Sequence, residues 1–153
     1  MKTVEFEGES IGFISMPDTC ICIFKNKLNE VLLVKQYRPI FRNYFLELPG
    51  GSNDENESIY DTALREFREE TGFITKDISI IMSAILSIGS SSERVHIFEV
   101  HSIDEDFKCL PEEGIESVWI KASEIKNMID KGLIVDAKTI IALQHLLLNN
   151  TIK

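Results

Sequence analysis

The strongest constraint on the fold of this chain is the segment 51–73, in which an initial glycine, Gly51, is followed by a dense cluster of glutamates. An α-helix turns about 100° per residue, so Glu66, Glu69 and Glu70 are expected within roughly a quarter of its circumference. The apolar residues of the segment fall on the neighbouring arc and are expected to be buried: Tyr60, Ala63, Leu64 and Phe67. The acids therefore lie at the edge of the predicted core.

These clustered glutamates indicate a metal site. Like charges three or four residues apart destabilise a helix by roughly 0.2–0.5 kcal/mol per pair, and Arg65, four residues before Glu69, relieves only part of that cost. A bound divalent cation would reverse it. Because the segment has oxygen ligands but no histidine or cysteine, it favours Mg²⁺ or Mn²⁺ over zinc. Glu66, Glu69 and Glu70 are the predicted ligands.

The ends of this helix carry recognisable signals. Asn56 or Ser58 can cap its start, Ser58 with Asp61 resembles a capping box, and Gly72 suits the left-handed residue that ends a helix. Residues 46–51 are typical of a short strand that runs into a glycine turn, where a backbone can approach a ligand closely. The predicted unit is a strand, a glycine-rich loop and an acidic helix.

This segment resembles the Nudix box, G-x5-E-x7-R-E-U-x-E-E-x-G-U, where U is a bulky apolar residue. It matches at every defined position: Gly51, Glu57, Arg65, Glu66, Phe67, Glu69, Glu70, Gly72 and Phe73. Residues 34–39, 47–51 and 87–94 resemble the ADP-ribose and nucleoside-diphosphate-sugar pyrophosphatases of that family. Ile88 stands where that branch usually has a proline associated with ADP-ribose preference, so the resemblance implies the broader class of nucleoside diphosphates linked to a sugar.

The resemblance implies a fold and an assembly. We expect one Nudix domain over residues 1–153, with a short amino-terminal extension over 1–17. Its α/β/α sandwich would hold a mixed β-sheet between the box helix and the carboxy-terminal helices, and a doubly wound parallel sheet is disfavoured because strands and helices do not alternate regularly. A homodimer is also implied, although the extension is shorter than the extra sheet that builds the dimer in such relatives.

The resemblance also implies roles for single residues. The Gly50 carbonyl would be a further metal ligand, Glu70 would be both ligand and catalytic residue, and Arg38 and Glu47 would bind substrate. Arg38 would grip the terminal sugar or a phosphate, and its alternative is a surface salt bridge.

Glu57 and Arg65 have a direct catalytic role and an orienting role as alternatives, and Glu93 also has two interpretations. In relatives the Glu57–Arg65 pair ties the glycine loop to the helix, so we expect it to orient the site without contacting substrate. Glu93, in the loop after Gly89, aligns with a glutamate that activates water in some relatives and is the candidate general base. The alternative is a solvated glutamate paired with Arg94.

Composition restricts the partners. The formal charge of −9 and a pI near 4.8 argue against nucleic acid as a partner, which requires a basic surface. No apolar run approaches the roughly 20 residues that span a bilayer, and the first residues lack the apolar core of a secretion signal, so the expected compartment is the cytoplasm. Three cysteines do not build a disulfide framework, and Cys20 and Cys22 are expected to be buried thiols.

The remaining pattern is mixed α/β. Candidate strands, judged by their β-branched and aromatic content, span residues 11–15, 19–24, 31–36, 45–48, 78–86, 94–100 and 117–120. Ser123 is expected to cap a helix that Gly132 ends, and Asp136 is expected to cap the last helix.

Three functions remain open from the sequence. The favoured one is Mg²⁺- or Mn²⁺-dependent hydrolysis of the diphosphate bond of a nucleoside-diphosphate sugar, giving a nucleoside monophosphate and a sugar phosphate. The alternatives are a nucleoside triphosphate pyrophosphatase and a non-catalytic Nudix-like module that senses such a ligand.

Overall fold

The computed structural model describes residues 1–104 and 108–151 of the 153-residue chain. The described strands are β1 (Lys2–Phe6), β2 (Glu9–Phe13), β3 (Thr19–Phe24), β4 (Glu30–Arg38), β5 (Asn43–Glu47), β6 (Gly50–Ser52), β7 (Asp77–Ile85), β8 (Arg94–Ser102) and β9 (Ile115–Lys121). The helices are α1 (Ile59–Thr71), α2 (Ala122–Asp130) and α3 (Ala137–Thr151).

Two sheets form the centre of the molecule. The order β6-β3-β8-β7 makes a four-stranded mixed sheet, because β3 runs parallel to β8 while the other neighbours are antiparallel. The order β5-β4-β9 makes a three-stranded antiparallel sheet. The strands β1 and β2 form a separate hairpin whose side chains are almost all exposed.

Strand β3 explains how the layers are stacked. All of its residues are buried, and successive side chains of a strand point to opposite faces. Cys20, Cys22 and Phe24 join the cluster that contains the buried face of α1, whereas Ile21 and Ile23 join the cluster that contains α2 and α3. The predicted α/β/α sandwich with a mixed sheet between the box helix and the carboxy-terminal helices is confirmed.

Helix α1 has the predicted ends. The Asp61 N–H donates a hydrogen bond of 3.1 Å to Ser58 Oγ at the start, and Gly72 ends the helix in the left-handed conformation, with φ 76°. Ala63 and Phe67 are fully buried as predicted. Tyr60 is a correction, because it is 46% exposed, although its ring meets that of Phe98 in an edge-to-face contact.

The structure also differs from the sequence-based expectations at strand 11–15 and at the start of α2, where the local sequence signals for strands and caps are weak. The expected strand at 11–15 is the second half of a hairpin that turns at Glu7 and Gly8, both with positive φ. The prediction that Ser123 caps α2 is wrong, because α2 begins at Ala122 without a side-chain cap. Asp136 does cap α3, since its carboxylate accepts a hydrogen bond of 2.9 Å from the Thr139 N–H.

The burial of the cysteines and the length of the helices complete the description of the fold. Cys20 and Cys22 are buried free thiols, and Cys109 is an exposed one. Among the described residues, no helix is both long enough and apolar enough to cross a bilayer.

Candidate active site

A cleft of about 960 Å³ opens between α1, the β4–β5 hairpin and the start of α3. The carboxylates of Glu66 and Glu70 lie on one wall, and Arg38 and Glu47 lie on another. Such a volume is within the range of small-molecule sites. The cleft therefore gathers most of the predicted site residues around one space.

Gly51 and Glu66 are in direct contact. A Cβ atom added to Gly51 would overlap the Glu66 carboxylate, so the carboxylate lies where any other residue would place its side chain. Burial raises the pKa of Glu66, although the neighbouring Arg65 opposes that shift. The glycine of the box is thus required by the position of a glutamate fifteen residues later (66 − 51).

Glu70 is the most deeply buried acid of the cleft, with only 6% of the residue exposed. Its carboxylate accepts a hydrogen bond of 2.8 Å from the Gly50 N–H. Burial raises the pKa of Glu70 to about 8, and the Glu66 charge adds to this while the Gly50 N–H opposes it. A carboxylate in this position is costly unless a cation compensates its charge.

Arg65 holds the acidic helix to the glycine loop. Its guanidinium donates two hydrogen bonds of 3.0 Å to Glu57, one of 2.7 Å to Glu66 and one of 3.1 Å to Glu69. A longer contact of 3.5 Å reaches the Ser52 carbonyl. The hydrogen bonds to these carboxylates raise the pKa of Arg65, and the bond to the Glu57 carboxylate has the largest effect. The pair predicted to orient the site is therefore formed.

The carboxylates of Glu66, Glu69 and Glu70 do not converge on one point as the ligands of a metal ion would. Within residues 1–104 and 108–151, no three acidic, histidine or cysteine side chains surround a common point as metal ligands. The physical reason is that Arg65 bridges Glu66 and Glu69, while Glu70 turns to the Gly50 N–H. Glu69 lies outside the cleft wall and is partly exposed.

The donor set nevertheless fits a hard divalent cation. Glu66 and Glu70 present carboxylate oxygens to one cleft, both with a raised pKa caused mainly by burial. Mg²⁺ commonly takes one or two carboxylates together with waters and phosphate oxygens. These two residues would hold such an ion, and the role of the Gly50 carbonyl stays a prediction.

Arg38 and Glu47 form a two-pronged ion pair on the facing wall. The guanidinium donates hydrogen bonds of 2.8 and 2.6 Å to the two carboxylate oxygens. Glu47 is buried, and this hydrogen-bonded partner raises the pKa of Arg38. Because the pair lines the cleft, it is not an isolated surface salt bridge, and it is placed where both residues can meet a ligand.

Glu93 also lines the cleft. Its carboxylate accepts a hydrogen bond of 3.2 Å from the Thr19 hydroxyl, and among the described residues it has no ion pair with Arg94. The expected alternative of a solvated Glu93–Arg94 pair is therefore not formed. Glu93 is therefore placed where it can meet a ligand in the cleft.

The loop that carries Glu93 is tied to the segment before β3. The Ile14 N–H donates to the Ser90 carbonyl at 2.8 Å, and the Ser92 N–H donates to the Ile14 carbonyl at 3.0 Å. The Met16 N–H adds a hydrogen bond of 3.0 Å to Ser92 Oγ. Segment 14–16 thus positions the loop.

Sequence reasoning missed Glu112. This residue lines the cleft, its N–H donates to the Glu69 carbonyl at 2.7 Å, and its charge helps to raise the pKa of Glu66. It comes from the segment just before β9, about forty residues after the box (112 − 73 = 39), and no local pattern indicates that this segment folds back onto the end of α1.

The three-layer fold and this acidic cleft are features of a hydrolase of phosphate anhydrides. The sequence model described as NUDIX domain matches residues 15–143, and the chain belongs to the Nudix family. The family predicted from the residues of the box is thereby confirmed.

Known relatives lie in the expected branch. The chain is 29% identical to an ADP-ribose pyrophosphatase of Bacillus subtilis over 127 residues, which cover 81% of this chain and 69% of the relative. It is 32% identical to a GDP-mannose pyrophosphatase of Yersinia enterocolitica over 143 residues, covering 87% and 74%. A crystal structure of an ADP compounds hydrolase aligns with a TM-score of 0.72 at 19% identity, covering 82% of this chain and 68% of that chain, and supports the fold.

Proposed function

We propose that this protein hydrolyses the diphosphate bond of a nucleoside diphosphate linked to a sugar. Water attacks one phosphorus, the bond from that phosphorus to the bridging oxygen breaks, and the products are a nucleoside monophosphate and a sugar phosphate. The observation that carries the proposal is the cleft itself, with the buried Glu70 and the partly buried Glu66 on one wall and the Arg38–Glu47 pair on another. The relatives named after ADP-ribose and GDP-mannose support the substrate class.

The reaction needs a divalent cation, for which we propose Mg²⁺ or Mn²⁺. When bound, the cation neutralises phosphate charge and makes the attacking water more acidic. Glu66 and Glu70 would hold it, and Glu69 and the Gly50 carbonyl would be its further ligands. This assignment is supported by the burial of Glu70, whose charge is opposed by that of Glu66 and compensated, among the described residues, by the Gly50 N–H and the charge of Arg38.

The facing wall orients the substrate. Arg38 donates two N–H hydrogen bonds to Glu47. Because a guanidinium has five N–H donors, others can still bind a ligand. The remaining N–H groups bind a phosphate or sugar oxygen. Glu47 fixes the plane of the guanidinium and accepts from substrate hydroxyls, so both residues bind substrate.

Glu57 and Arg65 act through the residues they hold. Arg65 restrains Glu66 and Glu69, and Glu57 restrains Arg65. Replacing Glu57 by glutamine should impair this geometry without removing a proton-transfer limb from the pH–rate profile. Loss of such a limb with unchanged metal affinity would contradict the assignment.

Glu93 is the proposed general base. Its carboxylate lines the cleft and accepts a hydrogen bond from the Thr19 hydroxyl, which restrains its position. The test is the kcat of Glu93→Gln, which should fall by more than about tenfold, equivalent to ~1.4 kcal/mol. A smaller change in Glu93→Gln, together with a larger loss in Glu112→Gln, would transfer the role to Glu112.

A substrate panel tests the function as a whole. Purified protein is incubated with ADP-ribose, ADP-glucose, GDP-mannose, UDP-glucose and nucleoside triphosphates in Mg²⁺ or Mn²⁺, and the phosphate-containing products are measured. We expect turnover of at least one sugar nucleotide and its loss in Glu70→Gln. Preferential turnover of triphosphates would favour the triphosphate pyrophosphatase, and binding without turnover of any compound would favour the sensor.

The proposal extends to assembly and location. We place the protein in the cytoplasm as a homodimer that acts on a small molecule and binds neither nucleic acid nor membrane. The free buried thiols of Cys20 and Cys22 support a reducing compartment. A two-stranded sheet is marginally stable on its own, and the exposed apolar side chains of the β1–β2 hairpin, such as Val4 and Phe6, support a protein partner for it. Light scattering measures the mass.

A further inference from the structure

The β4–β5 hairpin ends in a turn with an unusual composition. Turns are normally rich in glycine, proline, asparagine and aspartate, because these residues suit the backbone and the solvent. This turn instead exposes Ile40 and Phe41, which are 91% and 70% accessible. Both side chains line the cleft. An apolar rim at the entrance of a charged cleft calls for an explanation.

The aromatic ring of Phe41 is held but not covered. Phe45, half-buried on the neighbouring strand, meets it edge to face with ring centroids 5.4 Å apart and planes inclined at 69°. An edge-to-face contact leaves a ring face available, which agrees with the exposure of Phe41. The turn is thus a preformed flat apolar surface, at the end of the cleft wall that begins with Arg38 and Glu47.

Gln36 adds a polar group beside this surface. It is the cross-strand partner of Phe45 and lines the same cleft. Its Oε1 atom is buried and accepts no hydrogen bond from any of the described residues. A buried acceptor without a donor costs free energy comparable to a lost hydrogen bond. The amide can satisfy this acceptor if the side chain turns its oxygen towards the cleft, where a ligand can bring an N–H group to it.

From this arrangement we propose that Phe41, supported by Phe45, stacks the nucleobase of the substrate, and that Gln36 accepts a hydrogen bond from an amino group of that base. The inference rests on the proposed function, because the diphosphate at the acidic wall brings the attached nucleoside into the same cleft. A nucleobase has a flat apolar face and polar edge groups, which are the two features that Phe41 and Gln36 complement. A sugar has no such face.

Binding of the nucleotide product tests the inference without turnover. Calorimetry in Mg²⁺ compares AMP with ribose 5-phosphate, which lacks the base. Phe41→Ala should weaken AMP about fivefold or more, since stacking on an aromatic side chain is generally worth that much. Ribose 5-phosphate should bind as it does to the unmodified protein. The matched control is Tyr44→Ala, an exposed aromatic of the same hairpin that pairs with Tyr37 and does not line the cleft.

The hydrogen bond is tested with a base that lacks the donor. The unmodified protein should bind AMP more tightly than purine riboside 5′-monophosphate, which has no amino group. Gln36→Leu should abolish this preference, and Phe41→Ala should keep it. An unchanged preference in Gln36→Leu would overturn the role of Gln36.

Other outcomes overturn the stacking. Equal weakening of AMP and ribose 5-phosphate in Phe41→Ala would mean that Phe41 acts on the phosphate wall. A change in molecular mass without a change in AMP affinity would assign the rim to a second copy of the chain. If sugar nucleotides are turned over but AMP affinity does not depend on Phe41, this inference alone fails. If nothing is turned over while AMP affinity depends on Phe41, the inference stands and hydrolysis fails.

Discussion

Arg38 and Glu47 lie on neighbouring antiparallel strands, and the guanidinium donates two hydrogen bonds to the carboxylate across the wall of the cleft, at 2.8 and 2.6 Å. The carboxylate is buried and the guanidinium is partly open to the cleft, with 42% of its side chain exposed. The pair therefore links two strands of the sheet and also lines the cleft. Its removal should affect both the stability of the protein and the binding of a ligand.

Breaking this pair on one side should destabilise the protein. Arg38→Leu leaves Glu47 buried without its donor, and we expect a loss of about 1–2 kcal/mol in the free energy of unfolding, less than for a fully buried pair because Arg38 meets solvent. Removing both charges, in Arg38→Leu with Glu47→Leu, should restore most of that loss. Urea unfolding measures both, and a double variant less stable than Arg38→Leu would contradict the argument.

Adding one methyl group at Gly51 should disable the site while leaving the fold intact. In Gly51→Ala the new Cβ displaces the Glu66 carboxylate, because the two would occupy the same space. We expect kcat to fall by about tenfold or more, as for a loss of ligand orientation. The control is Gly12→Ala, where the nearest atom is a flexible methionine sulfur at 3.9 Å. Equal activity of the two variants would exclude the contact as a determinant.

Arg65→Lys tests whether geometry or charge matters at the centre of the network. Lysine keeps the charge, but it cannot donate simultaneously to Glu57, Glu66 and Glu69 as the guanidinium does. We expect a drop of about tenfold or more in kcat or metal affinity, without a change in the pH at which activity is half-maximal. Kinetics over a pH series and metal titration provide the measurement. Full activity of Arg65→Lys would reduce the role of Arg65 to its charge.

Metal binding should be visible without turnover. A dication that binds only the folded protein stabilises it, so Mn²⁺ at roughly 100 times its Kd should raise Tm by about 5–10 °C. Glu70→Gln should remove most of this shift, because a buried ligand is lost. Glu116→Gln, at an exposed carboxylate on β9, is the matched control and should keep it. An equal shift in all three proteins would place the ion elsewhere.

Asp136 should give the protein a defined sensitivity to acid. Burial raises the pKa of this carboxyl, but Lys138 and the Thr139 N–H more than compensate, so its pKa lies below the ordinary 3.8. Its contribution to stability is therefore complete above about pH 4 and is lost as the pH falls through the lowered pKa. Asp136→Ala should cost about 1 kcal/mol at pH 7 through loss of the helix cap.

The pH dependence of Asp136→Ala provides the check. The difference in unfolding free energy between this variant and the unmodified protein should shrink as the pH is lowered below about 4, and stay constant between pH 5 and 8. A difference that is independent of pH down to pH 2 would show that the cap does not depend on the ionised carboxylate.

Local signals were sufficient for much of the fold. Ser58 and Gly72 predicted the ends of α1 because a cap is formed by neighbouring residues, and the β-branched and aromatic content of residues 19–24 predicted the strand β3. The same logic failed at Ser123, where α2 continues directly from β9 and needs no side-chain cap. It also failed for the β1–β2 hairpin, whose exposed residues have no strong apolar alternation.

The site was predictable to the extent that it lies in one contiguous motif. Glu66 and Glu70 follow from helical spacing, and both line the cleft. Glu112 and Gln36 do not, because tertiary contacts alone bring them to the cleft. The arrangement of the glutamates around Arg65 also depends on rotamers and hydrogen bonds that spacing leaves undetermined.

The hydrogen bonds from Ile14 and Met16 to the Glu93 loop join parts of the chain that are 76 residues apart in sequence at Met16 and Ser92. Amino acid changes at Ile14, just after the first hairpin, can therefore alter the rate of hydrolysis while every side chain of the cleft stays the same. Natural variation at the amino terminus is accordingly a route to tuning turnover separately from affinity, and purification tags for kinetic work are better attached at the other end.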